Sequence, residues 1–431
     1  MMDLNEELLS FISRSPTAFH AVENAAKELA DAGFREWSET EDWTLGPGAC
    51  GFVRRNGSSL IAFRVPRSLP EGMLLAAAHS DSPCFKLKEN AVLSGDGYVR
   101  LSVEKYGGML CAPWLDRPLS LAGRVTLREG GHIVSRLVDL KRPVALIPNL
   151  AIHMDRSANE GKTYDVRVDM PALFSLSDAK GPGTLAAETL GVKEEDILSK
   201  DLFLYPCASG TVWGAEREFI SSPRLDDLQC VFGCLRGFLD AGDSACLTAL
   251  CVFDNEEVGS ASKQGADSSF LTDVLRRVCF ALGMDESAYL RCAANGFMVS
   301  ADNAHAVHPN HPDQADRSER PVLNGGVVIK YNANARYTTD SVSAAVFSEI
   351  CRAAEVPVQR YSNRADKPGG STLGNISLSH LSLECVDIGL PQLAMHSCYE
   401  TAGAKDTDAL VRAMKAFFSC SLRKTPEGIS L

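Results

Sequence analysis

"CLTALCVFDNEEVGS", residues 246–260, is apolar at nearly every position up to Phe253 and then meets Asp254, Glu256 and Glu257. The apolar run has strand length and stops at a polar turn, so it reads as a buried strand. Acids this close repel one another. Either water separates them on a plain loop, or cations hold them together. The surrounding chain has to decide between the two. "LDDLQCVFGCLRGFLDAG" (225–242) precedes the strand as an amphipathic helix closed by Gly242, and "SSFLTDVLRRVCFALG" (268–283) follows it as another helix.

Further out the alternation continues. Residues 3–33 have helical periodicity broken near Pro16, and "GMLLAAAHSDS" (72–82) is a buried strand entering a polar turn. Strands are read at "GFMVSADNAHA" (296–306), "GGVVIKYN" (325–332), "VPVQRYS" (356–362) and "DIGLPQLAMHS" (387–397), with helices over 341–356 and 406–420. Strands alternating with helices predict an α/β fold, a mostly parallel or mixed sheet flanked by helices. From about 92 to 210, short β-like runs separated by Gly-rich turns predominate, with a polar stretch near 155–185. The expectation is a catalytic α/β domain in two segments, 1–91 and 211–431, with a β-rich oligomerisation domain inserted over 92–210.

The chain has 431 residues, 45% hydrophobic and 23% charged, within the range of soluble enzymes. Lys plus Arg number 43 against 55 Asp plus Glu, a net charge of −12, which argues against nucleic acid or an anionic membrane as partner. "MMDLNEELLS" lacks the apolar core of a signal peptide, and no apolar run approaches the ~18 residues of a membrane span. The 14 cysteines form no CxxC pair or framework, so a reducing cytoplasm is expected.

In an open α/β sheet, ligands bind beyond the carboxyl ends of the strands. Those ends carry His79 and Asp81, Glu256 and Glu257, Asp302, and His396, while Asp226 and Asp227 open the helix at 225. Each has a bland reading: a core histidine, a turn former, an N-cap at Asp226, a solvated loop at Glu256–Glu257, an Asx turn at Asp302. Together, two histidines and several carboxylates at one sheet edge suit zinc, with cobalt or manganese as substitutes. Asp81, two residues past His79 on extended backbone, shares its face and is expected to orient the imidazole.

"AHSDSP", "SPRLDDL", "FDNEEVGS", "SADNAHAVHPN" and "AMHS" resemble, in order, the signatures of the aspartyl aminopeptidase family of co-catalytic zinc exopeptidases. "IPNLAIHMDR" and "NGGVVIKYNANARY" extend the resemblance over nearly the whole chain. It implies two divalent ions bridged by Asp226, with His79 and Asp302 completing one site and Glu257 and His396 the other. It leaves Glu256 as general base, and so accounts for the paired glutamates. It implies peptide substrates with a free N-terminus, preferentially Asp or Glu, with Lys330 supplying a cation and His305 contacting substrate. It matches His153 to a histidine donated to a neighbouring subunit's site, in a homo-oligomer that by resemblance is a dodecamer. His308 and His311 are expected to be structural or exposed. "RLDDL" has Asp227 where the family commonly has Asn, and residues 363–376, with Lys367, Gly370 and Asn375, depart from the family pattern beside the expected substrate pocket. A dimetal hydrolase of other specificity, and a non-catalytic self-assembling scaffold, are the alternatives.

Overall fold

Residues Met73–His79 alternate between two cores. Leu74, Ala76 and Ala78 pack on one face of the sheet, with the helix Leu225–Asp240. Met73, Leu75 and Ala77 pack on the other, with the helix Phe270–Ala281. A strand covered on both faces needs apolar side chains throughout, which is why 72–78 and 246–253 read as unbroken runs. The computed structural model describes residues 3–176 and 180–431. Part of the polar stretch at 155–185 therefore lies outside the described residues.

The main sheet has nine strands. Their order is Arg35–Glu36, Cys50–Arg55, Ser59–Arg64, Leu247–Phe253, Met73–His79, Phe297–Ala301, Glu384–Gly389, Val327–Tyr331, Val358–Ser362. Leu247–Phe253, Met73–His79, Phe297–Ala301 and Glu384–Gly389 run parallel at its centre, with Phe253 opposite His79 and Ala301 opposite Ile388. Their carboxyl ends therefore meet at one edge. Antiparallel pairs flank this block, so the sheet is mixed.

A second, antiparallel sheet runs in the order His132–Asp139, Leu119–Glu129, Ile197–Pro206, Cys84–Gly95, Tyr98–Tyr106, Ala172–Ser175, over its own core. It starts at Cys84, ahead of residue 92. Phe85 and Leu87 are buried between the more exposed Lys86 and Lys88, a period-2 alternation typical of such strands.

The stretch 387–397 is not one strand, as the sequence suggested. Glu384–Gly389 belongs to the main sheet, whereas Pro391–Leu393 pairs in a third sheet with Ala304–His305 and Glu400–Gly403. Pro391 has no N–H to continue the first ladder, and the chain changes sheets there. The strands Cys50–Arg55 and Ser59–Arg64 and the helix Glu286–Ala294 were not foreseen. Among the described residues no helix is long and apolar enough to cross a membrane.

The helix that carries Asp226 lies close against Asp406–Ser419. A Cβ on Gly237 would stand 2.5 Å from Met414 Cβ and 2.8 Å from the Lys415 backbone nitrogen. Gly237→Ala is therefore expected to force the helices apart and lower stability by roughly 1–3 kcal/mol. Urea denaturation checks this: the midpoint should fall, and an unchanged midpoint would contradict the close packing.

Candidate metal centre

His79 ends its strand 1% exposed. Its Nδ1 donates to the Asp81 carbonyl oxygen at 3.0 Å, which leaves Nε2 as the lone-pair side of the ring. Nε2 lies 3.3 Å from Asp226 Oδ1 and 3.8 Å from Asp302 Oδ1. His396 presents Nε2 to the other Asp226 oxygen at 3.5 Å and to Glu257 Oε2 at 3.4 Å, while its Nδ1 is held by the Gly108 carbonyl. Asp226 thus stands between the two imidazoles, one oxygen toward each.

Among the described residues, donor atoms within 4.8 Å of one another form three groups: His79, Asp226, Asp227 and Asp302; His79, Glu256 and Glu257; Asp226, Glu257 and His396. Asp226 Oδ1, Asp227 Oδ1 and Glu257 Oε1 are buried without a hydrogen-bond partner. Buried carboxylate oxygens without donors, facing imidazole lone pairs, are costly unless a cation completes them. Two imidazoles and several carboxylates are the donor set zinc favours.

The local chain explains the convergence. Asp226 and Asp227 have non-helical φ/ψ although they open a helix, and neither caps it; the N-cap reading of Asp226 fails. Asn255, at φ 65°, turns the chain so that Glu256 and Glu257 follow on a short 3₁₀ turn. Asp81 anchors that turn. Its carboxylate accepts from the backbone N–H groups of Glu256 and Glu257 at 3.2 Å each, and from the Tyr106 hydroxyl at 2.7 Å. The imidazole of His79 is held by the Asp81 carbonyl, with the carboxylate further off at 3.4 Å. Asp81 was expected to orient the histidine with its side chain; that side chain lies 3.4 Å from His79 Nδ1 and also anchors the glutamate turn, a role not foreseen.

The electrostatics follow from crowding. Burial disfavours a charged His79, but Asp227 and the neighbouring carboxylates outweigh it and raise its pKa well above the usual value. Burial opposes ionisation of Asp226, and the flanking imidazoles of His396 and His79 outweigh it, lowering its pKa. Glu256 has no hydrogen bond or ion pair to its carboxylate among the described residues. Burial is the largest cause raising it to about 8, with His79 opposing and Asp302 and Asp81 adding to the rise.

The remaining residues named from the sequence lie around the cluster or apart from it. Asp254 turns away from the cluster and accepts from the Asn255 N–H at 2.8 Å and from Gln264 at 3.3 Å. Lys330 is neither solvated nor free. It is 2% exposed, and Nζ donates to the Asp302 carbonyl at 2.8 Å and carboxylate at 3.3 Å. His305 is exposed on a short strand, its ring 6.0 Å from Tyr361. His153 sits on an exposed turn beside exposed Ile152 and Met154, and no bond joins it to the cluster within the chain. His308 and His311 are exposed, as is Lys367.

Glu400 was not foreseen. It is 1% exposed and accepts from the backbone N–H of Asp226 at 3.0 Å and of His396 at 2.7 Å, so one carboxylate aligns two distant donors. Only its place four residues past His396 hinted at this.

The Aminopeptidase I zinc metalloprotease (M18) family model matches residues 11–418. The chain belongs to the M18 aminopeptidase family. A probable M18 family aminopeptidase 2 of Clostridium acetobutylicum is 42% identical over 97% of this chain and 99% of the relative. One from Pseudomonas aeruginosa is 43% identical over 97% and 99%. Among solved structures, the Ape4 and Nbr1 complex matches with a TM-score of 0.92 at 37% identity, covering 96% of this chain and 85% of that one. The S. cerevisiae mApe1 dodecamer matches at 0.86 and 29%, covering 96% of each. The protein is thus a metal-dependent M18 aminopeptidase, and its fold and resemblance are those read from the sequence.

In this M18 aminopeptidase, Glu400→Gln replaces one acceptor oxygen with an amide that faces a backbone N–H. Metal retention during dialysis against a chelator is expected to fall by about 10–100-fold, the usual cost of losing a group that orients metal ligands. Wild-type retention, measured by elemental analysis, would refute the positioning role.

Proposed function

We propose that the protein removes N-terminal residues from peptides, Asp or Glu in preference, using two divalent ions and Glu256 as general base. The observation that carries this is Asp226, whose two oxygens face His79 and His396 at 3.3 and 3.5 Å while Glu256 is left unengaged. The ions, zinc with cobalt or manganese as substitutes, would be held by His79, Asp226 and Asp302 and by Asp226, Glu257 and His396, supplying Lewis acidity and easing ionisation of water.

Glu256 accepts the proton of the attacking water and passes it to the leaving amine. Its partly buried, unpaired carboxylate suits both halves of that task. Asp81 fixes where Glu256 points, because it holds the backbone of the same turn. The carboxylates around the cluster offer acceptors for the substrate's free α-amine.

For the side chain, Lys330, His305, Tyr337 and Tyr361 cluster beside Asp302: the Lys330 ammonium lies 5.1 Å from the Tyr337 ring, and Tyr337 lies 6.4 Å from Tyr361. An acidic side chain would share Lys330 with Asp302. That sharing also favours a second reading, neutral specificity, since the lysine's charge is already engaged. The exposed turn around His153 fits a contact between subunits, in line with the dodecamer solved for the S. cerevisiae relative, and we infer a homo-oligomer in which His153 reaches a neighbouring site.

Glu256→Gln is expected to keep bound metal yet lose about 10²–10⁴-fold in kcat, the typical contribution of a positioned base. Full activity in that variant would remove Glu256 from the role. Metal-loaded enzyme should cleave Asp- and Glu-anilides faster than Leu- or Lys-anilides, and blocking the α-amine should abolish turnover. Faster Leu cleavage would leave the aminopeptidase reading intact and overturn the acidic preference.

A further inference from the structure

A second feature lies on the side of the Asp226 turn away from the donor cluster. The N-terminal helices Leu4–Ser13 and Ala18–Asp31 and the second sheet enclose a groove of about 910 Å³. Arg14, Lys141, Arg142 and Arg224 line it, and Asp139 is the one acid among its lining residues. In a chain of net charge −12 this local excess of cations runs against the global sign.

Of these four cations only Arg14 has a carboxylate partner among the described residues. Lys141 and Arg142 are exposed, and neither side chain makes a hydrogen bond or ion pair among the described residues. Asp139, against three cations without a carboxylate partner, has one oxygen, Oδ1, accepting from the Tyr205 hydroxyl at 2.6 Å and the Lys141 backbone N–H at 3.0 Å. Arg14 has a long contact to Glu28, 3.6 Å, outside the groove. Arg224 donates one Nη to the Ile12 carbonyl at 3.2 Å, but among the described residues no carboxylate is within ion-pairing distance and its buried Nε has no partner. Arg224 is partly buried, and a guanidinium partly withdrawn from water without an anion is unfavourable, its planar fork matching carboxylate or phosphate. His20, in the same groove, feels the field: burial is the main cause lowering it to about 4, Asp139 opposes, and Arg224 and Lys141 lower it further.

We propose that this groove binds an oxyanion, a carboxylate or phosphate group, between Arg224 at its floor and Lys141 and Arg142 at its rim. The wall also carries Ile12, Pro143 and Pro223, so the ligand bearing the anion can have an apolar part. Arg224 is two residues before Asp226, which places the site outside the catalytic cluster but on the same turn.

Calorimetric titration of the full-length metal-loaded enzyme with inorganic phosphate, and separately with glutarate, at fixed ionic strength tests this. At least one should bind saturably, one per chain. Binding should weaken about tenfold or more in Lys141→Gln/Arg142→Gln, as expected when charge-assisted hydrogen bonds are lost. Basal turnover of that double variant should be unchanged. Arg224→Gln should lose binding too; if it does not fold, the rim variant carries the test. Binding of phosphate alone assigns a phosphate source, and of glutarate alone a carboxylate source. Absence of saturable binding into the millimolar range would overturn the proposal. So would affinity unchanged in the rim variant, which would put the anion at the metals. An altered assembly mass in that variant would instead make the groove a subunit contact and overturn the site.

Discussion

The dominant constraint on this structure is negative charge gathered in a place from which water is largely withdrawn. Asp81, Asp226, Asp227, Asp302, Glu256, Glu257 and Glu400 share one end of the sheet with two histidines. Burial is the largest cause raising the pKa of Glu257, Asp227 and Glu400, and neighbouring carboxylates push each further. Such groups either bind protons or meet cations. Metal binding and proton release are then two sides of one equilibrium, because the donor atoms coordinate only when deprotonated. The fold tolerates the repulsion because the four parallel strands, packed on both faces, hold the backbone rigidly enough to bring these ends together.

Holding side chains against their own repulsion requires anchors that are not ligands. Asp81 grips the backbone of the glutamate turn, and Glu400 grips Asp226 and His396. Both act on backbone N–H groups, so they fix position whatever the side chains bind. The second sheet contributes as well. Tyr106, at the end of one of its strands, donates to Asp81 and accepts from Asn255 at 2.9 Å, and the nearby Gly108 carbonyl fixes the tautomer of His396. Gly107 between them has φ 76°, and a Cβ there would lie 3.1 Å from Glu257 Cβ. A side chain would be strained and crowded, so this approach of the second sheet to the donor cluster depends on glycine.

These relations explain what was legible in the chain. Strands buried on both faces announce themselves as apolar runs, and their ends carried His79, Glu256, Glu257 and Asp302 in plain view. His396 and Asp226 were read at the same sheet edge, and the ordered motifs then implied their roles. The burial of Lys330 was not legible, because a lysine at a strand end looks solvated by pattern alone and its partners Asp302 and Asn303 are far away in sequence. Glu400 was invisible for the same reason, since its partners are backbone groups 174 and 4 residues distant. The run 387–397 looked like one strand because hydropathy does not record a change of sheet. Cys84–Gly95 was readable in part: its first residues alternate cleanly, but they follow the His79 turn so closely that they merged with the catalytic segment.

The turn at 222–227 shows how one local conformation can serve two surfaces. Arg224 is left-handed at φ 58°, a conformation that costs a residue with a Cβ roughly 1–2 kcal/mol. It takes the chain from Phe219–Ser222 in the third sheet into the helix beginning at Leu225. Continued extended backbone would have carried Asp226 along that strand's alternation instead of releasing it toward the histidines. Within three residues the chain sends a guanidinium into the groove and a carboxylate into the donor cluster, and the Glu400 carboxylate holds the N–H of the latter. An anion resting on Arg224 and ions resting on Asp226 would therefore press on the same few peptide units from opposite sides, which is the physical route by which occupancy of one could be felt at the other.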